Sequence, residues 1–284
     1  MKFISPSIRS AVFASAVVLA TGFAHAAETV KPLKALLVIG GCCHDYANQQ
    51  VILKHGIEAR ANVVVDVIYS ADSNTHPALP IYGHPDYANG YDVVIHDECA
   101  ADIKDPAIIQ GVLKPHQDGI PGVNLHCAMH SYRFGEFTKP VMAGADNSRW
   151  YEYLGLQSSG HGPQEPIAIA FTDKTNAVSI GLADWTTIRE EHYNNVQIFP
   201  TAHALAHGAQ VIKNKAGEPQ RTNDFVVAWE NIYQGKTRVF STTIGHNNET
   251  VADARYLDLV TRGMLWACDK LDADGKPKPG YAAK

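Results

Sequence analysis

No CxxC pair occurs in the chain, which rules out a zinc ribbon or a thioredoxin-type redox motif. No stretch approaches the roughly 20 apolar residues needed to cross a bilayer. The most apolar run, residues 11–20, reaches about half that length. A basic stripe is also missing. The 24 Lys and Arg face 29 Asp and Glu, a net charge of −5, and an acidic surface repels phosphate backbones. Nucleic acid is therefore excluded as a partner. HExxH and other strict metal-ligand strings are absent too, as are internal repeats and low-complexity linkers. With 45% hydrophobic and only 19% charged residues, the chain is not disordered as a whole.

What is present begins with a leader. Lys2 and Arg9 form a short basic start, residues 11–20 an apolar centre, and Ala24-His25-Ala26 a small-x-small cleavage pattern. Residues 1–26 read as a signal peptide, implying a periplasmic or secreted protein with no membrane association after cleavage. Loss of Lys2 and Arg9 makes the remainder still more acidic. Residues 27–271 fit one large α/β domain. Residues 272–284, a Pro/Gly/Lys string without periodicity, read as a flexible tail. The five cysteines are an odd number, so in an oxidising compartment at least one stays free or pairs with another chain. A disulfide between Cys99 and either Cys42 or Cys43 is open.

The first half alternates strand and helix. Residues 34–39 form a short apolar run ended by Gly40-Gly41, which predicts a buried strand; residues 45–56 follow as a helix. Residues 63–69, 91–96 and 122–126 are further strands, with a helix over 105–114. Continuous apolar strands separated by helices imply a mostly parallel sheet covered on both faces. Ligands bind such sheets outside the carboxyl ends of the strands. Polar residues collect there, at 40–44, 96–98 and 126–133. The second half is more mixed, with strands predicted at 167–171, 225–230 and 238–243. A final helix is expected from Thr250 to about Lys270, with Thr250-x-x-Asp253 as its capping pattern.

The segment from His126 to Arg133 is the most informative. One helical turn after His126 would bring His130 beneath it, and two imidazoles so spaced can share a metal or divide acid and base roles. His44 follows the first strand, and a Gly245-His246-Asn247 turn follows residues 238–243. Glu190-Glu191-His192-Tyr193 offers carboxylate, imidazole and phenol together. Several such elements at strand ends favour a functional site over scattered core histidines. Trp229 is a core candidate that could instead stack on a sugar ring.

In this order, Gly-Gly-x-x-His-Asp after the first strand, Leu125 to Ser131, Glu190 to Tyr193, Val227-Ala228-Trp229, Gly245-His246 and Leu265-Trp266-Ala267 resemble the ThuA-like family, named for trehalose utilisation. The resemblance spans about residues 34–269. The acidic element reads Glu190-Glu191 where the family more often has Asp-Glu, and Asn176-Ala177 stands where His-Pro is common. The resemblance implies a single-domain sheet of the flavodoxin-like, class I glutamine amidotransferase-like type. It also implies action on a small-molecule carbohydrate, particularly oxidised (3-keto) glycosides. His126, His130, Glu191 and Tyr193 are the expected catalytic residues, with Glu191 or His130 as base and Tyr193 or His126 as acid. His44, Asp45, Ser131, Arg133, Trp229, His246 and Asn247 are the expected substrate-binding residues. A divalent, zinc-type metal would draw on His44, His126, His130 and Glu191. Two alternatives stand beside this reading. One is a hydrolase or amidase with Cys127 as nucleophile; the other is a sugar-binding protein without catalysis.

Overall fold

A computed structural model describes residues 1–3 and 30–284 of the chain. The leader expected at residues 1–26 lies almost wholly outside the described residues. In chain order the elements are β1 (Leu33–Gly41), α1 (Tyr46–Glu58), β2 (Val63–Ser70), β3 (Val93–Cys99), α2 (Pro106–Asp118), β4 (Gly122–Leu125), α3 (Arg149–Leu154), β5 (Leu156–Gln157), β6 (Glu165–Phe171), β7 (Trp185–Glu190), β8 (Gln197–Ile198), β9 (Ala202–Lys213), β10 (Pro219–Tyr233), β11 (Thr237–Thr242), α4 (Asn248–Val251) and α5 (Ala254–Ala267). Among the described residues no helix is long and apolar enough to cross a membrane.

One sheet of nine strands runs β2-β1-β3-β4-β11-β10-β9-β6-β7. The first five strands are mutually parallel, as the alternating first half of the sequence requires. The last four pair antiparallel, through the β10–β11 and β9–β10 hairpins and the β6–β7 edge. β1 shows why the parallel half is central: every residue after Lys34 is buried, so both faces must be covered. Leu37 and Ile39 pack on one side with Leu53, Phe240 and Met264. Leu36 and Val38 pack on the other with Leu113, Trp150 and Trp229.

The helices start where short acidic side chains can cap them. Asp45, Asp105 and Asp253 accept hydrogen bonds from the backbone N–H of Asn48, Ala107 and Arg255. Asp253 changes the C-terminal expectation. It is the cap of α5 itself, so the single helix expected from Thr250 is split into α4 and α5.

The C-terminal residues also depart from expectation. Residues 272–284 are laid against the domain. Ala282 bridges to Ala61, Asn62 N–H donates to the Tyr281 carbonyl at 2.9 Å, and Asn62 Nδ2 donates to the Gly280 carbonyl at 2.8 Å. Tyr281 packs against the core. The Asn62 N–H, just before β2, would otherwise lack a partner, and with the Asn62 side-chain amide it holds this segment in spite of its Pro/Gly composition.

Candidate active site

The sheet brings the sequence-distant histidines together. Gly40 and Gly41 let the end of β1 press against its neighbours. At φ +137° and +104° they adopt backbone that L side chains rarely take, and a Cβ on Gly41 would lie 2.4 Å from the Cys99 carbonyl oxygen. The chain then turns so that His44 stands over the carboxyl ends of β1 and β3. His126 follows β4 at φ +37°, another left-handed position, and His246 follows β11. Ring centroids are 4.7 Å apart for His44–His126, 4.8 Å for His44–His246 and 5.6 Å for His126–His246.

Between His126 and His246 lies the carboxylate of Glu191. Its Oε2 is 3.4 Å from His126 Nε2, and its Oε1 is 3.3 Å from His246 Nδ1. Glu191 arrives from the antiparallel half, just after β7. Its neighbour Glu190, fully buried, accepts hydrogen bonds from the backbone N–H of His246 and Asn247 and so ties the β7 end to the β11 loop. His126 Nδ1 lies 2.7 Å from the Thr243 carbonyl oxygen. A carbonyl only accepts, so Nδ1 carries the proton and Nε2 is left to face Glu191 and the Tyr193 hydroxyl, 3.4 Å away.

Environment separates the protonation states. Burial, then the neighbouring imidazoles His126 and His246, pushes His44 down to about 2, so its ring is neutral. Burial also drives His130 well below the usual range. Burial alone would raise Glu191, but hydrogen bonds from His126 and His246, with charge from His126 and His161, outweigh it and hold the carboxyl well below the usual range. Burial, then the Glu191 charge, raises Tyr193 far above its ordinary value, so the phenol stays protonated. Hydrogen bonding to Glu191 raises His246.

These groups line a cavity of about 470 Å³ together with Cys42, Cys43, Cys99, Cys127, Arg133, His161 and Gln164. Of the expected residues, His44, His130, Arg133, Glu191, Tyr193 and His246 line the cavity, and His126, 1% exposed, lies behind that lining against Glu191 and Tyr193. His130, however, does not pair with His126. Residues 126–130 form a 3-10 turn, whose three residues per turn rotate i and i+4 about 120° apart. His130 Nε2 instead meets Ser158 Oγ at 2.9 Å, and its ring stacks on Tyr193.

Four expected binding residues are scaffold. Asp45 caps α1 and holds Asn248. Ser131 Oγ donates to the Glu98 carbonyl and accepts from Ala100 N–H, stitching β3 to the following turn. Asn247 holds the Arg189 and Glu190 backbone and carboxylate. Trp229 is 1% exposed and donates from Nε1 to the Leu154 carbonyl, so it offers no stacking face. The expected Cys127 nucleophile is bonded to Cys99, and a sulfur in a disulfide is not a thiolate.

Sequence reasoning missed two residues. His161 stacks near Tyr193, with Nε2 3.6 Å from Glu191 Oε2. Gln164 Nε2 lies 2.8 Å from His246 Nε2. Both sit in the irregular stretch before β6, where no periodicity marks them; the isolated bridge between His161 and Tyr193 forms only in three dimensions.

A polar pocket at the carboxyl edge of a parallel sheet, with the ionised Glu191 near the neutral rings of His44 and His130, stands where α/β proteins of this architecture place their ligands. The trehalose utilisation family, ThuA, matches residues 34–267, and the chain belongs to it. No curated protein sequence matches the chain. The crystal structure of a ThuA-like protein from Parabacteroides merdae ATCC 43184 is similar at TM-score 0.60 and 19% identity, covering 89% of this chain and 98% of that one. A ThuA-like protein from Bacteroides uniformis ATCC 8492 is similar at TM-score 0.58 and 13% identity, with the same coverage. At these identities the likeness establishes the fold.

Proposed function

We propose that the protein is an exported enzyme acting on a carbohydrate, with oxidised (3-keto) glycosides as the first candidates, by acid/base chemistry of His126, Tyr193 and Glu191. The observation that carries this reading is the placement of Glu191, ionised, within reach of His126 and His246 in a pocket sized for a small molecule. A carboxylate held so far below its usual range is a poor proton acceptor, so the base is His126 Nε2 rather than Glu191. It takes a proton from a carbon beside a carbonyl or from an attacking water. Glu191 then stabilises the imidazolium that forms. Tyr193, kept protonated by burial, donates to the departing or developing oxygen. Arg133 and His161, at the rim, orient hydroxyl groups.

Incubating purified protein with glycosides and their 3-keto forms tests this reading. Turnover lost in His126→Ala supports it; binding of a sugar without turnover in the unaltered protein replaces it with a sugar-binding role.

A divalent, zinc-type metal is a second reading, favoured by one observation. The ligand nitrogens of His44, His126 and His246 all lie within 4.8 Å of one another. The set fits such an ion: His44 Nδ1 is buried without a hydrogen-bond partner, its ring is neutral, and Glu191 adds an oxygen donor. This set replaces the one expected from sequence by exchanging His130 for His246. Stoichiometric metal in untagged protein, lost in His44→Ala, supports it. Full activity in the presence of a chelator counts against it.

A further inference from the structure

Four of the residues that line the pocket are cysteines. Cys42 is bonded to Cys43, and Cys99 to Cys127. The two pairs touch, with Cys42 Sγ 3.4 Å from Cys99 Sγ. The sheet fixes this contact, because Gly41 is paired in register with Cys99 and neither backbone can withdraw. Accessibility is graded along the sulfurs: Cys43 is exposed, Cys42 half-buried, and Cys99 and Cys127 are each 4% exposed. Cys43 also sits at φ +80°, a strained conformation for a residue with a side chain, which the link to Cys42 helps to hold. A His44 nitrogen lies within 4.8 Å of the Cys99 and Cys127 sulfurs.

We propose that these four cysteines form a thiol–disulfide exchange site that takes a dithiol reductant at Cys43 and delivers a free thiol at Cys127 inside the pocket. A thiolate of the dithiol attacks Cys43 Sγ, the Cys42–Cys43 bond breaks, and the electron pair leaves on Cys42 Sγ. The Cys42 thiolate attacks Cys99 Sγ. The Cys42–Cys99 bond forms, the Cys99–Cys127 bond breaks, and Cys127 departs as thiolate. The second thiol of the reagent attacks the reagent's own sulfur in the mixed disulfide and releases Cys43. In balance, two protein disulfides become one, the dithiol is oxidised to its disulfide, and its two protons end on Cys43 and Cys127. The exchange stands independently of the carbohydrate reading, but it determines whether the pocket presents a disulfide or a thiol to its ligand.

Disulfide mapping of the full chain tests the proposal. Protein is titrated with dithiothreitol, trapped with an alkylating reagent and digested for mass spectrometry. At partial reduction the expected species has Cys43 and Cys127 alkylated and a Cys42–Cys99 cross-link. Cys43→Ser leaves Cys42 as a thiol beside Cys99, so that variant should form the Cys42–Cys99 link and expose Cys127 to alkylation without any reductant. Cys42→Ser removes the relay, and opening of Cys99–Cys127 should slow by about tenfold or more. Circular dichroism confirms that each variant is folded, and either variant alone suffices for the test. The proposal is overturned if the two pairs open independently with no Cys42–Cys99 peptide. It is equally overturned if Cys43→Ser keeps Cys99–Cys127 intact with Cys42 free. Stoichiometric zinc held by the reduced sulfurs, with no cross-link formed, overturns it in favour of a thiolate metal site.

Discussion

Among the described residues, two clusters combine imidazoles with a carboxylate, and of these two one opens to a pocket. In the core, His96 Nδ1 meets Glu98 Oε1 at 2.8 Å, His96 Nε2 meets His116 Nε2 at 3.1 Å, and His116 Nδ1 meets the Ile120 carbonyl at 2.8 Å. Tyr132 donates to Glu98 at 2.6 Å, and no side chain of the His–Glu pair is exposed. Except for Glu98 Oε2, these atoms are satisfied by one another. At the pocket, His44 Nδ1 has no partner, and behind its lining His126 Nε2 faces Glu191 and Tyr193 only at 3.4 Å. The same residue types thus satisfy one another where their bonds close in the core, and keep bonding capacity in reserve beside the cavity, as the proposed chemistry requires.

Substitutions that separate activity from stability would break this contrast if it is wrong. The largest expected effect is His126→Ala, which should lower kcat/KM on the responsive glycoside by about 10²–10⁴ with little change in unfolding midpoint. An equal loss in a protein that has also lost most of its stability would make His126 a structural residue. Next is Glu98→Ala. Removing one member of a fully buried pair strands the other, at a cost of about 3–5 kcal/mol in urea denaturation, while kcat of the folded fraction stays unchanged. A normal midpoint for this variant would show that the core cluster does not stabilise the fold.

The contrast also explains what the sequence could tell. The parallel half was legible because β1, β2 and β3 are short apolar runs with clear stops, and because His44, His126 and His246 each follow a strand. His96 and Glu98 also follow an apolar run, but they are part of β3 itself, and the strand's pleat turns them into the core against α2. The antiparallel half was less legible. Glu191 and Tyr193 stood out as a short acidic-aromatic element, whereas His161 and Gln164 lie in coil without periodicity. Asp45, Ser131 and Asn247 were expected to bind substrate because they are polar and adjacent to histidines. Backbone donors and acceptors claim them first, and one dimension does not show that competition.

Acid should distinguish the clusters less strongly. Burial, with repulsion from His96, lowers His116 to about 3, and burial lowers His44 to about 2. Both folded values lie below the usual 6.5, so below that pH the unfolded chain binds more protons and stability falls. For fully buried His116 the loss between pH 7 and 5 is about 2 kcal/mol, and for half-buried His44 it is less. Glu191 acts in the same direction at lower pH. Its contribution is present above the usual carboxylate range and is lost as pH falls through it. His44→Gln should therefore flatten the acid loss while leaving the pH 7 urea midpoint near normal. His116→Gln should flatten it too, but lower the midpoint at every pH because the Ile120 and His96 contacts go. Parallel pH profiles for His44→Gln and the unaltered protein would mean that the His44 ring is not held neutral.

The smallest effect marks the boundary between pocket and scaffold. Asp45 adjoins His44 in sequence, yet its carboxylate points along α1. It accepts from Asn48 N–H at 3.4 Å, from Asn48 Nδ2 at 2.6 Å and from Asn248 Nδ2 at 2.7 Å, linking the start of α1 to α4. Those bonds hold the carboxyl below its usual range, with the Asn48 side chain contributing most. Asp45→Ala removes a helix cap and this link, and should lower Tm by roughly 2–4 °C. Asp45→Asn keeps an accepting oxygen for the cap and should recover most of that loss. Neither variant should change KM, because no atom of Asp45 lines the cavity. A KM raised several-fold in Asp45→Ala at unchanged Tm would move this side chain from the helix cap into the substrate site, and the boundary drawn at His44 would have to shift with it.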